Sequence, residues 1–122
     1  MSRVKTLQMQ KVRDFRESFG RVLKLNPDMP FIEAYNVTAR SAAPRFYCTL
    51  SEARRFCSLL NRKKPLPLRS ENKKKMYQDL FEKWKASGST TYMTLDEIIM
   101  QPAPSFYIDA STAQGFGHKY KL

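Results

Sequence analysis

Ala43-Pro44-Arg45-Phe46-Tyr47 and Ala103-Pro104-Ser105-Phe106-Tyr107 agree at four of five positions and stand 60 residues apart. Ala53 and Ala113 share that spacing. Self-similarity at a fixed interval is the mark of a duplicated structural unit, and it constrains the fold more tightly than local propensity does. A proline followed by two rings cannot continue a helix, but it anchors a turn between helices compactly, so the rings are expected in the core, with stacking of Phe46-Tyr47 and Phe106-Tyr107 on exposed bases as the alternative.

Outward from the first copy, the chain reads as helices. Val12, Phe15, Phe19, Val22 and Leu23 recur at helical spacing and Leu7 extends the stripe, predicting a first helix from about Lys5 to Lys24. Asn26-Pro27-Asp28 stops it. A second helix is expected from Pro30 to about Ser41, with Asp28 as N-cap and Phe31, Ala34, Tyr35 and Thr38 on its inner face. After the Ala-Pro-Arg-Phe-Tyr turn, Thr49-Leu50-Ser51-Glu52 is a capping-box sequence, opening a third helix that points Ala53, Phe56, Cys57 and Leu60 inward.

The segment Asn61 to Arg69 holds Lys63-Lys64-Pro65-Leu66-Pro67-Leu68, an extended connector. The pattern then restarts. Ser70 caps a fourth helix whose buried face carries Met76, Tyr77, Leu80, Phe81 and Trp84 and which ends near Gly88. Thr94-Leu95-Asp96-Glu97 reads as another capping box, ahead of a short helix through Ile98 and Ile99. Past the second turn, Gly115 and Gly117 are expected to end the last helix early and leave His118 in a tail. The predicted fold is mainly α: two tandem three-helix, helix-turn-helix-like repeats sharing a core. Residues 1–62 form the first repeat, 63–69 the Pro/Lys connector and 70–122 the second.

Lys and Arg number 22 against 11 Asp and Glu, a net charge of +11. Residues 1–62 hold 12 basic and 5 acidic side chains (+7) and residues 63–122 hold 10 and 6 (+4), so no single tail carries the excess. A field of that sign attracts polyanions. Cys48 and Cys57 are nine apart with no His/Cys cluster, which gives no zinc spacing and reads as two buried thiols in a reducing, cytoplasmic setting. No apolar run has the length of a signal peptide or a membrane span.

A long helix followed by two short ones is the plan of helix-turn-helix DNA binders, whose last helix enters the major groove. On the third helix Arg54, Arg55, Ser58, Asn61 and Arg62 lie off the apolar stripe. Arg and Asn can read guanine and adenine edges there, while Lys63 and Lys64 reach phosphates. Arg45 beside the first ring pair, and Lys73, Lys74 and Lys75 in the first turn of the fourth helix, are further candidate phosphate contacts. Lysines there oppose the helix dipole and do not serve helix stability. The same residues also suit a plain solvated basic face.

With both motifs in view, the chain resembles a set of small basic proteins of gut Bacteroidetes, their prophages and mobile elements. These carry paired motifs similar to Ala-Pro-Arg-Phe-Tyr-Val followed by a Glu-Ala-bearing helix. Ala43 to Cys48 with Glu52-Ala53 match the first copy; Ala103 to Ile108 with Ala113 match the second less fully. The resemblance implies an architecture and a phage-linked context, not an activity.

No catalytic set emerges: one histidine, no Gly-rich phosphate loop and no carboxylate cluster. The chain is therefore expected to be non-enzymatic and to need no cofactor or metal. Its expected partner is nucleic acid, DNA before RNA, with a transcriptional regulatory role in view. The alternative is a helical adaptor or phage structural protein that binds an acidic protein partner. Oligomeric state is not legible from the sequence.

Overall fold

The computed structural model describes residues 3–88 and 94–120, with six helices and no strand among them. They are α1 (Arg3–Leu25), α2 (Phe31–Arg40), α3 (Leu50–Asn61), α4 (Glu71–Ala86), α5 (Leu95–Ile99) and α6 (Ala110–Tyr120). The chain divides into two compact units, and these are not its two halves. One unit combines Met1–Ala43 with Pro104–Leu122, and the other is Pro44–Ala103.

In the first unit α2 packs on α1 and α6. Phe15 is fully buried, with the rings of Phe106 and Phe116 each edge-on at 5.5 Å. Phe19 stacks on Tyr35 at 4.5 Å, which closes the hairpin of α1 and α2. The carbonyl of Ala39, in the last turn of α2, accepts from the Phe106 amide (3.3 Å) and from the Ser105 hydroxyl (3.0 Å). These bonds satisfy an end-of-helix acceptor and tie down the second motif.

The second unit holds α3, α4 and α5, each packed on the other two. Phe56 of α3 meets Tyr77 of α4 at 4.6 Å, and Leu80 and Leu95 are fully buried. At the far end of both helices the Lys85 ammonium donates to Asn61 Oδ1 (3.3 Å). Advancing from residue 56 to 61 on α3 while advancing from 77 to 85 on α4 means that the two helices run parallel. The connector between them must therefore travel back along the bundle, which its extended, proline-bearing segment 64–70 does. The Phe46 amide donates to the Ile99 carbonyl (2.9 Å), and Lys83 reaches the Pro102 carbonyl (2.8 Å).

Several sequence expectations are met. Thr49 and Ser70 accept from the amides of Glu52 (3.1 Å) and Lys73 (3.2 Å) as N-caps, and the connector has no regular structure. Of the motif rings, Phe46 and Phe106 are core, at 1% and 0% exposure, whereas Tyr47 and Tyr107 are only half-buried. Others are corrected. Asp28 does not cap α2, whose N-cap is Pro30 without a side-chain bond. Phe31 is 61% exposed, since Phe19 meets it only edge-on. Thr94 has helical backbone angles and does not cap α5; its hydroxyl accepts from the buried Trp84 indole (3.1 Å), a buried donor that needs a partner.

The last helix does not stop at Gly115 and Gly117, and α6 runs on through His118 to Tyr120. Each glycine costs about 1 kcal/mol relative to alanine in a helix, but burial of Ala113 and Phe116 and the Asp109 N-cap offset that cost. The largest departure is the division of the chain. α3 packs with α4 and α5 instead of with α1 and α2, so α2 and α3 do not form a helix-turn-helix within one compact unit. The Ala-Pro-x-Phe-Tyr segments are non-helical arms, bent at Pro44 and Pro104 and with Tyr107 at φ 56°, along which the chain passes from one unit to the other.

Candidate nucleic-acid interface

Residues 53–70 contain no Asp or Glu and six Lys or Arg. This window forms the outer side of α3 and the turn that follows it. Ala53, Phe56 and Cys57 face the core, which leaves Arg54, Arg55, Asn61 and Arg62 exposed and Ser58 half-buried. α3 then ends in a Schellman turn: the Lys63 amide donates to Leu60 (3.0 Å) and the Lys64 amide to Leu59 (2.9 Å). Lys63 occupies the left-handed position with φ 57°, where glycine is the usual residue.

Arg54, Arg55, Arg62, Lys63 and Lys64 have no carboxylate within ion-pair distance among the described residues. Arg62 bonds the Ser58 carbonyl through Nε (3.4 Å), and the cations after Asn61 favour the negative end of the helix dipole. That local benefit fades within one turn, so it does not account for Arg54 and Arg55 in mid-helix. The Arg55 guanidinium lies 5.3 Å from the Phe56 ring centroid, which limits its motion.

Arg55, Ser58, Leu59, Arg62, Lys64, Pro65 and Pro67 line one open cleft of ≈ 590 Å³ between α3 and the returning connector. The structure thus brings four of the predicted residues into one concavity. Arg54 and Lys63 are on the same exposed stretch but do not line it, and Asn61 already receives Lys85. The remaining candidates are elsewhere. Lys74 pairs with Glu71 (3.3 Å) and Lys75 with Asp79 (3.1 Å), as i,i+3 and i,i+4 neighbours do, while Lys73 is exposed. Arg45 is half-buried, bonds the Phe46 carbonyl (3.0 Å) and lies 5.8 Å from the Tyr47 ring, which makes it part of the motif's packing.

Sequence reading missed the apolar wall of Leu59, Pro65 and Pro67. The available signal was the connector's length: parallel helices need a long return, and a return strand lies against one of them. Burial pushes the thiols of Cys48 and Cys57 up to about 12, so both are neutral at ordinary pH. Among the described residues no group of His, Cys, Asp or Glu could hold a metal ion, and no helix is long and apolar enough to cross a membrane. No family model, curated protein or solved structure matches this chain.

Proposed function

We propose that this protein binds nucleic acid, DNA before RNA, through the outer face of α3 and the turn that ends it. It acts as a small cytoplasmic binding protein and not as an enzyme. The observation that carries this reading is the run of five exposed cations, Arg54, Arg55, Arg62, Lys63 and Lys64, with no acid paired to any of them among the described residues. Holding unneutralised like charges together is unfavourable for the folded chain alone, and a polyanion relieves that repulsion by releasing its counterions. The unit that contains them has 12 basic and 6 acidic residues, +6 of the total +11.

The same reading takes the chain as a duplicated three-helix motif with exchanged third helices. Its support is the offset of 60, which relates Phe46 to Phe106, Ile99 to Ala39, Thr49 to Asp109 and Phe56 to Phe116, each pair in the same local role. The phage-linked setting implied by the resemblance makes DNA the polyanion at hand and regulation of transcription one use of it.

The test is binding to duplex DNA, single-stranded DNA and structured RNA across a salt series. Five phosphate contacts predict a log–log salt slope of about −4 to −5 on duplex DNA. An Arg54→Glu/Arg55→Glu variant, shown folded by circular dichroism, should flatten that slope by about 2 and lose most of the affinity. Absence of binding at low salt to all three would overturn the reading. A second reading, an adaptor for an acidic protein, draws on the first unit, where Leu25, Phe31 and Ile32 are 81%, 61% and 63% exposed.

A further inference from the structure

Resting on that reading, we infer that the cleft between α3 and the connector takes an unpaired nucleotide: its phosphate on Arg62 and Lys64, its base against Leu59, Pro65 and Pro67. A purely phosphate-binding surface needs cations and nothing else. This cleft has cations on its rim, a hydroxyl from Ser58 and an apolar wall of three side chains, with no acid among its lining residues. A base within a duplex hides its faces in the stack, and its phosphates alone have no use for an apolar wall. An unpaired nucleotide offers both a flat apolar face and a phosphate, and proteins hold such bases between apolar or aromatic side chains.

The cleft is also built before the ligand arrives. The two prolines fix their own φ and have no amide to solvate, so the wall stays extended without hydrogen-bond partners. The Schellman bonds of Lys63 and Lys64 set the direction in which the connector leaves α3. The ring of Phe56 beneath Arg55 holds that guanidinium at the rim. At ≈ 590 Å³ the cleft has the volume of an ordinary small-ligand site.

The experiment uses the full chain and four probes of about twelve nucleotides, within the range of single-strand site sizes: single-stranded DNA, single-stranded RNA of the same sequence, the DNA duplex, and the DNA strand with abasic sites in place of its bases. At one salt concentration the intact single strand should bind about tenfold tighter than the abasic strand. The tighter of DNA and RNA names the source of the nucleotide. A Pro65→Ser/Pro67→Ser variant keeps every charge, so it should bring the intact-to-abasic ratio near one and leave the salt slope unchanged. Leu59→Asn is the second variant if the first does not fold. Equal affinity for intact, abasic and duplex probes overturns the nucleotide cleft but leaves nucleic-acid binding standing. No binding to any probe removes both.

Discussion

The amide of Phe46 donates to the carbonyl of Ile99 at 2.9 Å, so the arm that leaves the first motif is fastened to the last turn of α5, not to α2. Sixty residues forward from Phe46 and sixty back from Ile99 the bond recurs, from Phe106 to Ala39 at 3.3 Å. α3 packs with α4 and α5, and α6 with α1 and α2, which is the packing that the proposed duplication with exchanged third helices requires.

The proposed exchange predicts how fragments behave. Residues 1–62 contain α1, α2 and α3 but lack α6, so Phe15 loses the rings of Phe106 and Phe116. Residues 63–122 lack α3, so Tyr77 loses Phe56. Chains of about 60 residues bury little surface even when complete. Each fragment alone should show weak helical circular dichroism and no cooperative melt, and mixing them one to one should restore both. A cooperative melt from residues 1–62 alone would count against the exchange.

Lys63 separates strain from charge. At φ 57° a lysine costs about 1–2 kcal/mol that glycine avoids, less about 0.5–1 kcal/mol for glycine's greater freedom in the unfolded chain. Lys63→Gly should therefore raise the urea unfolding free energy by about 0.5–1 kcal/mol, whereas Lys63→Ala should not. Both variants lose one cation and should weaken nucleic-acid binding equally. If only Lys63→Gly weakens it, the turn's geometry matters and the charge does not.

How much of this was legible in the sequence depends on the distance over which each residue acts. Val12, Phe15, Ala53, Phe56 and Trp84 declared their burial through periodicity, and Thr49 and Ser70 declared their caps, because those signals are local. Asp109 was missed as the cap of α6, although it stands 60 residues after Thr49. The two glycines of α6 drew attention to propensity, which burial of Phe116 overrode. The packing of α3 with α4 and α5, and of α6 with α1 and α2, was not legible, because packing on sequence neighbours would bury the same apolar stripes. Of the candidate site, the cations of α3 could be read one by one. Their meeting with Pro65 and Pro67 depends on the parallel course of α3 and α4, which no short-range pattern encodes.

The two thiols predict an alkaline limit. Burial raises Cys48 and Cys57 from 9.0 to about 12 in the folded chain. Below pH 9 both states keep the proton and the stability is whole. Between pH 9 and about 12 the unfolded chain loses protons that the folded chain retains, so stability falls as pH rises. A Cys48→Ala/Cys57→Ala variant should be less stable at pH 7, because it removes buried side chains, and should show a shallower loss above pH 9. In the native protein at pH 8 both thiols should react with iodoacetamide only on unfolding. Rapid labelling of either without loss of structure would contradict their burial.

Asp109 predicts an acid limit confined to α6. Its carboxylate accepts from the Thr112 amide at 2.8 Å and from the Ser111 hydroxyl at 3.1 Å. Hydrogen bonds from Thr112, then from Ser111, hold it below its ordinary value of 3.8. The folded value is thus lower than the unfolded one. Its contribution is complete above 3.8 and is lost as pH falls through the lowered value, because the unfolded chain takes up the proton first. Asp109→Asn keeps an oxygen that can cap the helix but cannot ionise. Other carboxylates act equally in both proteins, so the difference in melting temperature between wild type and variant isolates this one. Wild type should be the more stable near pH 6, where the carboxylate also meets the positive end of the helix dipole, and the gap should close as pH falls through the lowered value. A gap that stays constant across that range would show that the Asp109 charge does not support α6.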